Sequence, residues 1–289
     1  MCRLSCITGP LTPALARSFA QRSAELFAPS QRDGFGALFI GPDSVRAERT
    51  LDPRMYGASR RIPAAWRPEQ NSDGTMPTVL RAVVCHGRQS TNHVCLENVH
   101  PFRATAADGR TLWLAHNGIL QWRGGDPAPV APHDCDSEEF AVWLAAGGTW
   151  DAAPAAWSGY GALFTVGPDD NHLRLIKCNR ASLYCVPRRR GWIFATDRRD
   201  CERLARLSDV TRPSPVAVPA TQVAFADTGE MATVAGFPGF TAACPTPVAV
   251  PARTWKPANG RRFYATVQDK ELFPDWTGPT LARGWDERD

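Results

Sequence analysis

The chain has 289 residues, 43% of them apolar and 21% charged, with a formal net charge of +4. That length and composition describe a globular protein with a sizeable core and exclude an intrinsically disordered chain. The basic excess is small and dispersed. Its densest run, Arg188-Arg189-Arg190, has one aromatic neighbour, Trp192, so direct nucleic-acid binding is not expected.

No apolar run reaches the length of a membrane span, and Pro10 and Pro13 come before any signal-like stretch, so a cytoplasmic protein without membrane association is expected. Nine cysteines, an odd number, stand at positions 2, 6, 85, 95, 135, 178, 185, 201 and 244, with no Cys-x-x-Cys pair. In a reducing compartment most of them serve as small packed hydrophobes. His86, His93, Cys95 and His100 match no metal-ligand spacing, and neither a metal nor another cofactor is expected.

In chain order, Thr12-Pro13 reads as an N-cap followed by proline at the first helical position, and Leu15, Phe19 and Leu26 continue a helix that Pro29 ends. The apolar run Ala37-Leu38-Phe39-Ile40, the turn signal Gly41-Pro42-Asp43 and the segment 45–50 predict a hairpin. Residues 53–78 are rich in Pro, Arg and Gly and read mainly as a long loop. Residues 80–85 predict a buried strand. After the turn signal Asp108-Gly109, a strand at 111–115 delivers His116-Asn117-Gly118 at its end. Residues 124–134 read as loop. Asp136-Ser137-Glu138-Glu139 looks like a capping box, with Asp136 as N-cap, before a helix whose face carries Phe140, Trp143 and Leu144.

From Gly159 onward strands are predicted at 162–166, 172–177, 181–186, 192–196 and 221–226, with a short helix at 200–207. One more strand is expected at 261–267. This order gives an α+β chain with substantial sheet. Beyond Ala243 the chain is Pro-rich, and Trp255, Phe263, Tyr264, Phe273 and Trp276 make it aromatic. The division expected is a domain over 2–243 and an extension over 244–289 that packs on that domain or on a partner.

Cys2 follows the initiator Met1, which is normally removed before a small side chain. Removal leaves a thiol and a free α-amine on one residue, so nucleophile and base come together. Any Met-Cys start offers as much, and the signal is weak alone. Downstream, however, His86-Gly87-Arg88-Gln89-Ser90-Thr91, Asn98-Val99-His100-Pro101-Phe102, His116-Asn117-Gly118 and Asp136-Ser137-Glu138 follow in order. With Met1-Cys2, this series resembles the class II (purF-type) glutamine amidotransferases of the Ntn-hydrolase superfamily, and in its opening the short stand-alone members that begin Met-Cys-Arg-Leu. The resemblance spans about residues 2–205.

The resemblance implies a four-layer αββα sandwich of two packed, mainly antiparallel sheets, with the nucleophile at the start of a central strand. It also implies hydrolysis of the γ-amide of glutamine through a γ-glutamyl thioester. Cys2 attacks, and Asn117 and Gly118 stabilise the oxyanion, the first by its side-chain NH2 and the second by a backbone N–H. Alone, Asn117-Gly118 reads as a hairpin turn. Arg88 suits the substrate α-carboxylate because its planar fork binds both oxygens, and Asp136 suits the α-ammonium. Thr91, His100 and Pro101 shape the pocket wall, while His86 and His116 are supporting structure. Many family synthases carry an aromatic residue after the pocket arginine and a histidine after the threonine. Gln89 and Asn92 stand there in this chain, which suits altered lid contacts or a substrate larger than glutamine.

Nothing after residue 205 is long enough for an ammonia-using second domain. Two enzymatic readings follow: a glutaminase subunit that feeds ammonia to a separate synthase partner, or a hydrolase of a γ-glutamyl amide or peptide without ammonia transfer. A catalytically silent binding module on the same fold is the third.

Overall fold

The computed structural model describes residues 2–41, 45–58, 80–90, 94–125, 128–133, 135–150, 152–167, 173–178, 181–188, 191–207, 215–217 and 231–232. Met1, Thr91, His93, most of the loop expected at 53–78, the strands expected at 221–226 and 261–267 and the extension expected over 244–289 lie outside them.

The chain opens with strand β1 (Arg3–Leu11), and helix α1 (Pro13–Phe27) follows. Thr12 caps α1 as its sequence predicts, its hydroxyl accepting from the Leu15 N–H at 3.2 Å, with proline at the first turn. The predicted hairpin is β2 (Phe35–Ile40) paired antiparallel with β3 (Val45–Thr50). A short helix, α2 (Pro53–Ala58), begins where a loop is expected. Asp52 starts it: its carboxylate accepts from the N–H groups of Arg54 and Met55, and Pro53 follows as the first helical residue. The Asp-Pro signal was present but outweighed by the composition of the segment around it.

The buried strand expected at 80–85 is β4 (Leu80–Gly87). A four-residue strand, β5 (Phe102–Thr105), pairs with β6 (Thr111–Trp122). Strand β6 does not stop before His116 but runs on unbroken to Trp122, so Asn117-Gly118 is strand interior and not a turn. Helix α3 (Asp136–Ala145) starts one residue earlier than its capping box predicts. Cys135 is the N-cap residue and makes no side-chain cap bond. The reason is that the Asp136 carboxylate is drawn away, accepting from the Leu120 N–H of β6 at 2.6 Å and from the Ser137 N–H at 2.8 Å.

The later elements are α4 (Ala153–Ala156), β7 (Trp157–Val166), β8 (Leu173–Cys178), β9 (Tyr184–Arg188), β10 (Gly191–Ala195), α5 (Arg198–Ala205), β11 (Val216–Ala217) and β12 (Met231–Ala232). Among the described residues the strands form two antiparallel sheets, ordered β11-β9-β10-β1-β4-β2-β3 and β12-β8-β7-β6-β5.

Strand alternation sorts side chains into layers. On the outer face of the first sheet, Ile7, Phe35, Val83 and Ile193 pack against Phe19 and Phe27 of α1, Tyr56 of α2 and Leu204 of α5. On its inner face Leu4, Cys6, Leu38 and Val84 meet Ala115, Ala162, Phe164 and Leu175 of the second sheet. The outer face of the second sheet, with Leu114, Leu120 and Leu163, is covered by Phe140 and Leu144 of α3. This is the α+β, four-layer αββα sandwich. Both sheets are buried on both faces, which is why strands such as β2 read as continuous apolar runs.

Candidate active site

Cys2 stands immediately ahead of β1, the middle strand of the first sheet, which pairs with β10 on one side and β4 on the other. Leu4 and Cys6 point into the layer between the sheets, and alternation turns Cys2 the same way at its open end. The thiol is half-buried against the Gln89 peptide: Sγ lies 3.4 Å from the Gln89 nitrogen and 3.5 Å from its carbonyl oxygen. Burial raises the Cys2 thiol pKa, while the Gln89 N–H and the Arg88 guanidinium pull it down and the Asp136 carboxylate pushes it up. Cys6 is fully buried in the inter-sheet core and is a packing residue.

Arg88 leaves the end of β4 opposite Cys2, because Arg3 of β1 is in register with Gly87. Its backbone is held on both sides: the Arg88 N–H donates to the Gly34 carbonyl at 2.8 Å, and the Asp33 N–H donates to the Arg88 carbonyl at 3.3 Å. The Asp33 carboxylate also accepts from the Ser90 N–H at 2.6 Å. Arg88 is buried and does not sit on the surface.

Asn117 and Gly118 come from the facing sheet. Asn117 is in register with Ala162, an inter-sheet residue, so its side chain faces the same layer as Leu4. Its buried Oδ1 has no hydrogen-bond partner among the described residues. Leu120 sends its N–H to Asp136, away from β7, and Gly118, two residues earlier on an unbroken strand, directs its own N–H to the same side. On that side β5 reaches only to Phe102, opposite Leu114. The Gly118 N–H therefore opens past the end of β5, with Asp136 seated at the same edge.

His86, His100 and His116 are all buried, and burial lowers the pKa of each, that of His86 to about 3. The His86 and His100 rings lie 4.0 Å apart between centroids, and His100 meets Phe102 edge-on at 4.5 Å. His86 is a packed neutral imidazole, not a base presented to the thiol. Pro101 is buried beside it, after a cis bond. The loop of His100 and Pro101 docks on β2 because Gly36 has no side chain: a Cβ there would collide with the His100 carbonyl and lie 3.1 Å from Pro101 Cδ.

The structure thus brings Cys2, Arg88 and Asp136 within electrostatic reach of one another, places Asn117 and Gly118 on the facing sheet, and packs His100 against His86 with the His100-Pro101 loop on β2. Thr91 falls outside the described residues. Sequence reasoning missed Asp33, which braces the arginine loop, and the Leu120 N–H, which anchors Asp136. Neither backbone donors nor a carboxylate 57 residues from its partner leaves a local signal. Among the described residues, no group of three or more His, Cys, Asp and Glu is arranged to hold a metal ion. No described helix is long and apolar enough to cross a membrane.

No family model matches the chain, and no curated protein matches it. Solved structures do. The glutamine phosphoribosylpyrophosphate amidotransferase from B. subtilis, complexed with ADP and GMP, aligns with a TM-score of 0.50 at 14% identity over 73% of this chain and 45% of its own. A structure described as the allosteric regulatory enzyme of purine biosynthesis aligns with a TM-score of 0.50 at 13% identity over 73% and 44%. A predicted glutamine amidotransferase from Pseudomonas aeruginosa aligns with a TM-score of 0.35 at 16% identity over 80% and 89%. The chain spans less than half the length of the first two. At these identities the likeness to the first two structures is one of fold.

Proposed function

We propose that this chain is an N-terminal cysteine amidohydrolase that cleaves the γ-amide of glutamine. The observation that carries this reading is the convergence of the two sheets. Cys2, at the head of the central strand of one, and Asn117-Gly118, at the open edge of the other, face the same end of the inter-sheet layer.

In this reading Met1 is removed and the Cys2 α-amine takes the thiol proton, whose release desolvation of the half-buried thiol disfavours. The thiolate adds to the amide carbon. The oxygen that becomes negative is met by the Asn117 carboxamide and the Gly118 N–H. Ammonia departs with the proton now carried by the Cys2 α-ammonium, and water then hydrolyses the γ-glutamyl thioester. Arg88 grips the substrate α-carboxylate and Asp136 its α-ammonium, so a free glutamyl head is distinguished from a bare amide.

A second reading, hydrolysis of a γ-glutamyl amide or peptide with a leaving amine larger than ammonia, has one observation in its favour. The residue whose peptide touches the thiol is Gln89, and its side chain is exposed instead of forming an aromatic lid. Delivery of ammonia to a separate synthase belongs to the first reading only.

Ammonia release from glutamine, set beside amine release from a panel of γ-glutamyl amines and peptides, tests the proposal, together with intact mass for the loss of Met1. Cys2→Ala abolishes turnover. Asn117→Ala lowers kcat by about 10²-fold, the scale of a lost oxyanion donor. A retained methionine, or no release from any member of the panel, refutes the mechanism and favours a binding module.

A further inference from the structure

His116 and Ser137 belong to two different motifs of the sequence, and the fold joins them. The His116 Nδ1 lies 2.9 Å from the Ser137 Oγ, and the Ser137 Oγ lies 3.2 Å from the Asp136 Oδ1. The other ring nitrogen, Nε2, lies 3.4 Å from the Tyr160 carbonyl. His116 and Ser137 are almost fully buried, at 1% and 2% exposure.

The imidazole lies on the α3 side of the second sheet. His116 is in register with Leu163 of the outer core, whereas Asn117, the next residue, faces the inter-sheet layer. The sheet therefore separates this ring from the Cys2 thiol, and His116 does not touch the reacting atoms. What it occupies is the space left by two glycines. Gly118 and Gly161 are directly opposite each other across β6 and β7. A Cβ on Gly118 would stand 2.5 Å from His116 Nε2, and one on Gly161 would collide with the same atom.

We propose that His116 is a positioning residue for the ammonium-binding carboxylate: through Ser137 it fixes Asp136, while its ring, seated on Gly118 and Gly161, holds the strand that carries the Gly118 N–H. This rests on the reading of Asp136 as the partner of the substrate α-ammonium.

The protons can be counted. Ser137 has one hydroxyl proton and two acceptors within reach, His116 Nδ1 and Asp136 Oδ1. With the ring proton on Nδ1, His116 donates to Ser137 and Ser137 donates to Asp136, so the relay is complete, at the cost of an Nε2 lone pair facing the Tyr160 carbonyl. With the proton on Nε2, the ring donates to Tyr160 and takes the Ser137 proton for itself, and Asp136 Oδ1 keeps the Ser137 N–H and the 3.8 Å Cys135 thiol contact. Asp136 Oδ2 is held by the Leu120 N–H in either state. The tautomer of a buried histidine thus sets how firmly one carboxylate oxygen is held.

The test uses the full chain in two measurements. Ring-nitrogen NMR of histidine-labelled protein compares wild type with Ser137→Ala and Asp136→Asn. Both variants shift the His116 Nδ1 signal, although Asp136 does not touch the ring. An unmoved Nδ1 signal in Asp136→Asn overturns the relay. Kinetics compare glutamine with glutaramate, its analogue without the α-amino group. Ser137→Ala raises KM for glutamine roughly tenfold, the scale of a weakened charge-assisted hydrogen bond, with kcat within about twofold. The preference for glutamine over glutaramate falls by the same factor, and Ser137→Thr restores it. Equal loss on both substrates, or loss in kcat alone, assigns Ser137 a merely structural role and overturns the proposal. If wild-type protein acts on neither compound, the reading with glutamine as substrate fails, and the ring-nitrogen signals alone decide the relay.

Discussion

Replacing Gly118 by alanine adds one methyl group where strand, imidazole and oxyanion donor meet. The new Cβ would stand 2.5 Å from both Gly161 Cα and His116 Nε2, and it would collide with the Tyr160 carbonyl. Ordinary contact begins at 3.4 Å, and two of the three obstacles are backbone, so β6 and β7 must part by roughly 1 Å or more. Overpacking of this kind costs about 1–3 kcal/mol, and loosened ladder hydrogen bonds add about 1 kcal/mol. For a domain of this size a loss near 3 kcal/mol lowers Tm by about 6–12 °C. The Gly118 N–H moves with the strand, so kcat for ammonia release falls by about 10²- to 10³-fold. Gly109→Ala is the contrast. Nothing lies within 4 Å of a Cβ there, and only its φ of +83° opposes alanine. That penalty is about 1–2 kcal/mol, and kcat is unaffected. Thermal unfolding followed by circular dichroism and a coupled ammonia assay read both variants. A Gly118→Ala protein that unfolds within about 2 °C of wild type, the scale of half a kcal/mol, and keeps its kcat refutes the close approach of these strands.

The histidine cluster predicts acid sensitivity. His86 has its pKa depressed to about 3 in the folded chain, against 6.5 when unfolded, so the unfolded state binds the extra proton between those values. Its stabilising contribution is therefore full above pH 6.5 and lost as pH falls towards 3, amounting to about 2–3 kcal/mol by pH 4.5. His100 and His116 act in the same direction, and His100→Phe makes the decline shallower; a flat stability profile between pH 7 and 4.5 in urea titrations refutes this. Arg3 pairs with Asp197 at 2.8 Å and with the buried Asp200 at 2.7 Å. Burial raises the Asp200 pKa and Arg3 lowers it, so Arg3→Ala raises it further. The variant loses more stability at pH 7, where Asp200 is charged, than in acid, where it is protonated, and equal losses in denaturant melts at both pH values argue against it. Trp157 is fully buried, its ring 5.1 Å from Phe140 and 5.3 Å from Trp122. Trp157→Ala costs about 3–5 kcal/mol in chemical denaturation, and a loss below about 1 kcal/mol shows that the cluster closes over the gap.

The elements that were legible in sequence share a local cause. Thr12-Pro13 announces α1 because an N-cap oxygen and a proline act within one turn, and β2 and β4 show as apolar runs because both their faces are buried. The failures have a common cause too. Asn117-Gly118 looks like a turn because the two residues tolerate one, but pairing with Ala162 and Gly161 over an unbroken register overrides that preference. Asp136 looks like an N-cap, and a backbone N–H sixteen residues earlier in the chain competes for its oxygen. The short β5 carries no period long enough to read. For the site, the motif resemblance named the residues, but only the fold puts His116 beside Ser137, 21 positions away, and on the far side of the sheet from Cys2.

The pairing of β1 also bears on how the molecule comes to exist. The Leu4 N–H donates to the Thr196 hydroxyl and the Thr196 N–H to the Leu4 carbonyl, across 192 positions. One flank of β1 is therefore completed only after β10 has emerged. Long-range closures of this kind slow folding and leave apolar edges exposed meanwhile. A nascent chain arrested before residue 191 carries Cys2 on a half-paired strand, so thiol reactivity at Cys2 in arrested chains reports when the central sheet closes.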